Sequence, residues 1–196
     1  MSSPLSLPAH NADSGTLNVI IETPKGSRNK YDYDEKYGLF VLNGVLPAGA
    51  SFPFDFGFVP STKGEDGDPL DVLVLMDEAA YPGVLVPARL IGVIEANQTE
   101  DGKTERNDRL IAVMENSRAH REVHSLDQIS DNLIEEIEHF FVSYNTIKGK
   151  GFEPLGRFGP ERAAQLIEEG AQRLSGKLGG AAKKPKKANP KRERGN

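Results

Sequence analysis

Three aspartates stand close together in the segment DGDPLD at residues 66–71, which runs directly into the apolar residues VLVL at 72–75. Residues two apart in an extended chain project to the same side, so Asp66 and Asp68 can face one cavity. Pro69 fixes its own φ and can turn Asp71 back toward them. Carboxylates crowded in this way repel one another unless a cation lies between them, and oxygen ligands suit hard cations such as Mg²⁺. The segment therefore predicts a polyphosphate held through metal ions.

The same segment has a simpler interpretation. DxD triplets are common in loops, so the carboxylates can form a solvated acidic turn that begins a strand. A calcium loop of the helix-loop-helix type fits poorly, because its sixth position requires glycine and is Asp71, and its twelfth requires glutamate and is Asp77.

The elements that must position this segment are strands first and helices later. Short apolar runs between Pro and Gly turn signals predict strands at residues 17–22, 30–34, 39–42, 72–76, 84–95 and 110–114. Helical spacing appears only after the capping candidates Ser130 and Asp131, and a second helix is expected to begin at Pro160. This order predicts an α+β fold in which an antiparallel OB-like β-barrel is flanked by two C-terminal helices.

Length and composition indicate one domain with two tails. The 196 residues include no cysteine, which excludes disulfides and thiolate metal sites. We expect a flexible N-terminal arm at residues 1–15, a barrel domain at 16–175 and a disordered basic tail at 176–196. No basic residue precedes Lys25, and no apolar segment approaches the length of a membrane span, so a cytoplasmic protein without membrane contact is expected.

Charge is divided unevenly along the chain. Residues 177–196 hold eight Lys or Arg and one Glu, and since the whole chain carries −5, residues 1–176 carry −12. An acidic domain does not attract a phosphate anion by itself, so such a substrate would have to arrive with divalent cations. The basic tail is expected either to bind polyanions weakly or to act only as a solubilising segment.

The segment DGDPLDVLV at 66–74 resembles the signature of the family I soluble inorganic pyrophosphatases. Other segments agree in the same order: VIIETP at 19–24, KYD at 30–32, FPFDFGFVP at 52–60, RLIAV at 109–113 and HFF at 139–141 through Tyr144. The resemblance covers roughly residues 16–172. It implies an OB-like barrel that hydrolyses pyrophosphate, or a related phosphoanhydride, with several Mg²⁺ ions, Mn²⁺ being an alternative metal.

The resemblance also implies roles for individual residues. Asp68 would orient or deprotonate the attacking water. The implied metal ligands are Asp66, Asp71, Glu22, Asp101 and Asn107, where Asp101 shares an upstream acidic position with Glu100 as the other candidate. The implied substrate-binding residues are Lys30, Asp32, Arg109, Tyr144 and Lys148. Without the resemblance, Glu22 would be taken for an exposed strand end, Lys30 for a surface lysine and Tyr144 for the end of an apolar helix stripe.

Several positions depart from the family pattern, and all of them lie in the implied site. The family has arginine, tyrosine, tyrosine, aspartate, lysine and lysine where this chain has, in that order, Gly44, Phe52, Phe56, Asn107, Arg109 and Asn145. Most of these changes remove a phosphate donor or a metal carboxylate. Lys148 or Lys150 could bind phosphate in place of the lysine that Asn145 replaces.

Two functions are compatible with this pattern. The first is Mg²⁺-dependent hydrolysis of pyrophosphate by a metal-activated water, with weakened or altered activity, in a homo-oligomer. The second is a non-catalytic, pyrophosphatase-like binding protein that keeps the barrel and a metal site.

Overall fold

The computed structural model describes residues 3–176 of the chain. The strands in this part are β1 (Leu17–Thr23), β2 (Asn29–Asp34), β3 (Leu39–Val45), β4 (Asp55–Val59), β5 (Leu70–Leu75), β6 (Leu85–Glu100), β7 (Lys103–Arg106), β8 (Arg109–Met114) and β9 (Gly151–Phe158). The helices are α1 (Asp131–Ile147) and α2 (Pro160–Leu174), with short 3₁₀ turns at Pro4–Ser6 and Leu126–Gln128. Strands precede helices as expected, except that β9 lies between the two helices.

Five of the strands close into a ring. β1 pairs with β4, β4 with β5, β5 with β8, β8 with β6, and β6 returns to β1. Every pairing in the ring is antiparallel except β5 with β8, which is parallel. At the β1–β4 contact the backbones lie so close that a Cβ on Gly57 would be 1.9 Å from the carbonyl oxygen of Ile20, so only glycine fits there. The prediction of an α+β fold with a mostly antiparallel barrel and two C-terminal helices is confirmed.

The apolar pattern did not predict β4, β7 and β9, and the physical reason differs among them. β7 has the sequence KTER and pairs only with β6, so no apolar alternation marks it. In β9 only Phe152 is buried, and Pro154 lies at a register shift against β6. A strand that pairs on one side only tolerates proline. In β4, Asp55 and Gly57 interrupt the apolar residues and all five positions are buried, so neither a continuous apolar run nor an alternation marks it.

The two helices pack on separate hydrophobic clusters. α1 is capped by Ser130, whose side chain accepts from the amide of Leu133, and its fully buried residues are Ile134, Ile137, Phe141 and Asn145. α2 begins at Pro160 as predicted. Its buried residues are Ala163, Leu166, Ile167 and Gly170, whereas Leu174 at its C-terminal end is 52% exposed.

Residues 3–15 are attached to the barrel, which differs from the loose arm expected from composition. The amide of Asn18 donates to the carbonyl of Ala9 at 2.8 Å, and the amide of Ser61 donates to the carbonyl of Leu5 at 3.0 Å. These backbone hydrogen bonds hold a segment that has no apolar periodicity, so no sequence pattern announces it. The predicted disordered tail lies outside the described residues from position 177 onward. In the described part of the chain, no helix is long and apolar enough to cross a membrane.

Candidate active site

A cavity of about 850 Å³ lies where the 64–71 loop, the β2–β3 hairpin and the C-terminal end of α1 meet. It collects nearly all the residues singled out from the sequence. The predicted residues that line it are Glu22, Lys30, Asp32, Asp66, Asp68, Asp71, Asn107, Arg109, Tyr144 and Lys148. Asp101 is not among the lining residues. The segments that carry these side chains are far apart in the chain, so the barrel is what brings them together.

Lys30 is a buried cation between two carboxylates. Its side chain is 8% exposed, and its Nζ lies 3.4 Å from Glu22 Oε2 and forms a closer ion pair with Asp32. The Nζ also lies 4.8 Å from the centre of the Phe56 ring. Burial works to lower the pKa of Lys30, but Glu22 and Asp32 outweigh it and raise that pKa. Lys30 is therefore a fixed positive charge of the cavity, unlike an ordinary surface lysine.

The two carboxylates beside Lys30 titrate differently. Burial raises the pKa of Glu22 to about 7, against the opposing effect of Lys30. Burial also acts to raise the pKa of Asp32, but the charge and hydrogen bond of Lys30 and a hydrogen bond from Asn43 hold it below its ordinary value. Asp32 is thus the ionised partner of Lys30 at neutral pH.

The acidic loop is shaped by its own backbone hydrogen bonds. The amide of Gly64 donates to the carbonyl of Asp68 at 2.7 Å, and the amide of Asp68 donates to Asp66 Oδ1 at 3.0 Å. Gly67 has φ 85°, a conformation that glycine adopts without strain. The loop ends where the amide of Leu70 donates to Thr62 Oγ1 at 3.1 Å. This geometry presents Asp66, Asp68 and Asp71 to the same cavity.

Two carboxylates of the loop have raised pKa values. Burial raises the pKa of Asp66 to about 7, and the nearby charge of Asp71 adds to the effect. Burial also raises the pKa of Asp71, although Arg109 acts in the opposite direction. Buried carboxylates that repel each other are stabilised by a cation, and a donor set made only of oxygens suits a hard divalent one.

Within residues 3–176, no three acidic or histidine side chains are grouped closely enough to hold a metal ion by themselves. Asp66, Asp68 and Asp71 line the same cavity without forming such a group. The residues still fit a divalent cation of the Mg²⁺ type, since such ions are commonly held by one or two carboxylates and completed by water and substrate phosphates.

Arg109 is the second buried cation of the cavity. Its side chain is 4% exposed, and its Nη1 lies 2.7 Å from Asp71 Oδ2. The guanidinium carbon is 4.8 Å from the centre of the Phe141 ring and 5.2 Å from that of Phe152. Arg109 therefore binds a carboxylate of the acidic loop, whereas the resemblance assigns it to substrate.

The chain matches the family model described as inorganic pyrophosphatase over residues 19–175. The inorganic pyrophosphatase of Synechocystis sp. is 36% identical over 156 residues, which cover 80% of this chain and 90% of that protein. That of Corynebacterium glutamicum is 39% identical over 153 residues, covering 78% and 93%. The crystal structure of the Thermus thermophilus inorganic pyrophosphatase superposes with a TM-score of 0.81 at 31% identity, covering 89% of this chain and 99% of that one.

This chain belongs to the inorganic pyrophosphatase family. The family is metal-dependent, which agrees with the oxygen-rich donor set of the cavity. The positions at which the chain departs from the family pattern can therefore be followed in the structure.

Asp101 does not join the site. β6 and β7 stay paired as far as Glu100 and Lys103, so Asp101 and Gly102 form the two-residue turn at the tip of this ribbon. Both have positive φ, 52° and 75°, as the tight hairpin turn requires. Glu100, the other candidate for this acidic ligand, forms an ion pair in which its Oε2 lies 2.8 Å from Lys150 Nζ. The sequence does not show how far the β6–β7 ribbon continues. It therefore could not show that Asp101 lies in the turn at the tip of the ribbon, away from the cavity.

Gln98 is a cavity residue that the sequence analysis missed. It lines the cavity on β6, and its Oε1 accepts a hydrogen bond from Asn107 Nδ2 at 3.1 Å. A glutamine in a polar run of β6 carries no signal by itself. The resemblance implies an acidic residue at Glu100 or Asp101, whereas the structure places the amide of Gln98 beside Asn107.

The aromatic and lysine positions also have defined surroundings. Phe56 lines the cavity, while Phe52 is 1% exposed and packs against the rings of Phe56, Phe140 and Tyr144. Asn145 is 2% exposed, and its Nδ2 donates to the carbonyl of Phe141 at 2.9 Å.

The end of α1 supplies a phenol and an ammonium group. Lys148 donates a hydrogen bond to the hydroxyl of Tyr144. Burial raises the pKa of Tyr144 to about 12, so its hydroxyl keeps its proton at neutral pH. Burial lowers the pKa of Lys148. The pair adds two hydrogen-bond donors to the cavity.

Proposed function

We propose that this chain hydrolyses inorganic pyrophosphate to two phosphates with Mg²⁺, and that Mn²⁺ can replace it. The observation that supports the proposal most strongly is that the acidic loop and the Lys30 cluster line one cavity large enough for the substrate. The cavity holds cations for the phosphate oxygens and carboxylates for divalent metal, as phosphoryl transfer requires.

Residues of the cavity have distinct roles in this reaction. Lys30, Lys148 and the hydroxyl of Tyr144 bind and orient the phosphate oxygens. Asp66 and Asp71, supported by Glu22, hold divalent cation, which when bound neutralises phosphate charge and makes water more acidic. Asp68 accepts a proton from the attacking water. The water oxygen forms a bond to one phosphorus as the bridging oxygen leaves with the other phosphate.

We propose further that the activity is weaker than that of relatives with the full family pattern. Asn145 turns its amide toward the backbone of α1, so it does not replace a phosphate-binding lysine. Gly44 offers no side chain beside Lys30 in the β2–β3 hairpin. Each charge-assisted hydrogen bond missing from a transferring phosphoryl group costs on the order of 2 to 4 kcal/mol in the transition state, so the absence of a few lowers the rate strongly.

The test is phosphate release from pyrophosphate at saturating Mg²⁺. Asp68→Asn is expected to lower kcat roughly 10²- to 10⁴-fold, the usual contribution of a positioned general base. Asp13→Asn is the matched control, because Asp13 is an exposed aspartate in the N-terminal segment. Equal rates for the wild-type protein and Asp68→Asn would remove Asp68 from the mechanism.

A binding protein without turnover is the second candidate. The amides of Gln98 and Asn107 favour it, because they stand in the cavity without supplying carboxylates. Calorimetric binding of pyrophosphate with no phosphate release would support this candidate. The homo-oligomeric state, the cytoplasmic location and weak polyanion binding by residues 177–196 stay predictions from the sequence.

A further inference from the structure

Oxygen atoms from three residues surround a single nitrogen of Arg109. Nη1 donates to the carbonyl oxygen of Asn107 at 3.1 Å and to that of Asp108 at 3.0 Å, and it lies 2.7 Å from Asp71 Oδ2. It also donates to Asn107 Oδ1. This nitrogen carries only two hydrogens, so four acceptors exceed what it needs as a donor. Four oxygens gathered on one positive centre resemble the ligand arrangement of a metal ion.

The guanidinium is enclosed by other side chains. It is 4% exposed and lies against the rings of Phe141 and Phe152. Its Nε is buried and has no hydrogen-bond partner within the described residues. Arg109 is therefore buried although one of its donors is unsatisfied. Burying a charge in this way is costly unless a counter-charge holds it, and Asp71 supplies that counter-charge.

The neighbouring side chains are amides. Asn107 accepts from Arg109 through Oδ1 and donates through Nδ2 to Gln98 Oε1 at 3.1 Å. We call Gln98, Asn107 and Arg109 the amide corner. A divalent ion placed here would meet neutral amide oxygens and one carboxylate, Asp71, that is already paired with the guanidinium. The positive guanidinium repels such an ion at short range. The amide corner is therefore a poor place for a metal ion while Arg109 occupies it.

We propose that Arg109 is a resident cation that takes the place of a divalent ion between Asp71 and Asn107. The cavity consequently binds one divalent ion fewer than it would with a carboxylate at position 107 and no arginine at 109. Arg109 acts as a positioning residue: it holds Asp71 through Oδ2, and it leaves Oδ1 of Asp71, together with Asp66, to the divalent cation of the proposed reaction.

The experiment counts Mn²⁺ ions bound per chain, by calorimetry and by the paramagnetic resonance signal of free Mn²⁺, on the full chain without substrate. Asn107→Asp alone is expected to leave the number unchanged, because Arg109 pairs with the new carboxylate. Asn107→Asp combined with Arg109→Met is expected to bind one more Mn²⁺ per chain. Asn11→Asp, in the N-terminal segment away from the cavity, controls for the change in net charge.

Two results would overturn the proposal: a gain of one ion in Asn107→Asp alone, or the same number of ions in the wild-type protein and the double variant. The latter would mean that Arg109 moves aside when metal arrives. If circular dichroism shows that the double variant does not fold, the single variant still decides. The proposal rests on the metal-dependent function proposed above, but an ion count needs no turnover, so absence of pyrophosphate hydrolysis would leave the count valid.

Discussion

The two helices cover clusters of different composition, and only one of these clusters contacts the buried cations of the site. The cluster under α1 is rich in aromatic residues: Phe52, Phe54, Phe56, Phe141 and Phe152. The cluster under α2 is aliphatic, and all five strands of the ring contribute to it: Leu17, Val19, Ile21, Val59, Val72, Val74, Val86, Ala88, Val93, Leu110 and Ala112. Lys30 lies over Phe56 and Arg109 over Phe141, both rings of the first cluster.

The difference shows how a small barrel keeps positive charge in its interior. Ring faces attract cations, and aliphatic side chains do not, so the aromatic cluster can hold Lys30 and Arg109 beside the cavity. α2 acts on the site through hydrogen bonds to the backbone of Lys63 instead. The amide of Lys63 donates to the carbonyl of Gly170 at 3.1 Å, and Arg173 Nη1 donates to the carbonyl of Lys63 at 2.7 Å. α1 and its aromatic cluster thus hold the buried cations of the site, and α2 anchors the loop that carries the aspartates.

The largest expected effect comes from removing a ring on the α1 side. Phe141→Ala should lower the free energy of unfolding by about 3 to 5 kcal/mol, because it opens a cavity among packed rings. It should also lower kcat for pyrophosphate in the molecules that stay folded, since Arg109 loses the ring that holds it against Asp71. Denaturant unfolding and phosphate release measure the two effects.

The matched variant on the other side is Ile167→Ala. Ile167 is 2% exposed in the aliphatic cluster, so its truncation should cost about 2 to 5 kcal/mol of stability. The rate per folded molecule should stay close to that of the wild-type protein. A fall in rate equal to that of Phe141→Ala would show that the two clusters support the site alike.

The next prediction concerns the ion pairs that anchor α2. Glu95 accepts from Arg106 on one side and from Arg162 of α2 on the other, each at 2.7 Å. Burial acts to raise the pKa of Glu95, but the two arginines hold it below its ordinary value. A lowered pKa in the folded state stabilises the protein above the unfolded pKa, and this stabilisation is lost as the pH falls through the folded value.

Glu95→Gln should therefore cost about 1.5 to 3 kcal/mol at neutral pH, the usual contribution of hydrogen bonds to a charged group. The difference from the wild-type protein should shrink in acid, once Glu95 is protonated in both states. Urea unfolding of both proteins across this range measures it. A difference that stays constant with pH would assign the loss to packing instead of charge.

Much of the site followed from the sequence because its residues lie in short, continuous segments. The 66–71 aspartates and Lys30 with Asp32 are local patterns, and each of these residues lines the cavity. Their partners depend on contacts between distant segments. The pairing of Arg109 with Asp71 requires the parallel contact of β5 with β8, which no local pattern announces. The amide corner depends in addition on how β6 places Gln98 beside Asn107.

The fold was predictable to a similar degree and for a related reason. Buried strands such as β5 are continuous apolar runs, and both helices carry clear start signals at Ser130 and Pro160. β7 and β9 lack such runs, because each pairs on one side only and gains its structure from β6. The place of Asp101 at the tip of the β6–β7 ribbon could not be predicted for the same reason, because it depends on how far β7 pairs with β6.

Adding a hydroxyl to one ring of the aromatic cluster at a time distinguishes a ring that lines the cavity from a ring in the interior of the cluster. Phe52→Tyr should cost about 1 to 3 kcal/mol, because a hydroxyl added to a ring that is 1% exposed is buried without a prepared partner. Phe56→Tyr should cost less, since Phe56 lines the cavity, where water or substrate can accept the new hydrogen bond. Thermal unfolding of both variants decides it, and an equal loss would show that the two rings are equally enclosed.

The smallest expected effect tests the anchoring role of α2. Arg173→Met removes the side-chain donor to the Lys63 carbonyl but keeps an unbranched side chain, so it should cost about 0.5 to 1.5 kcal/mol of stability. The loop that continues from Lys63 to the aspartates also keeps the hydrogen bond from Lys63 to Gly170, so kcat should fall by no more than about tenfold. Phosphate release and thermal unfolding, measured beside Phe141→Ala, give the comparison. If Arg173→Met lowers kcat as much as Phe141→Ala does, α2 controls the geometry of the aspartates directly, and the division of labour between the helices is wrong.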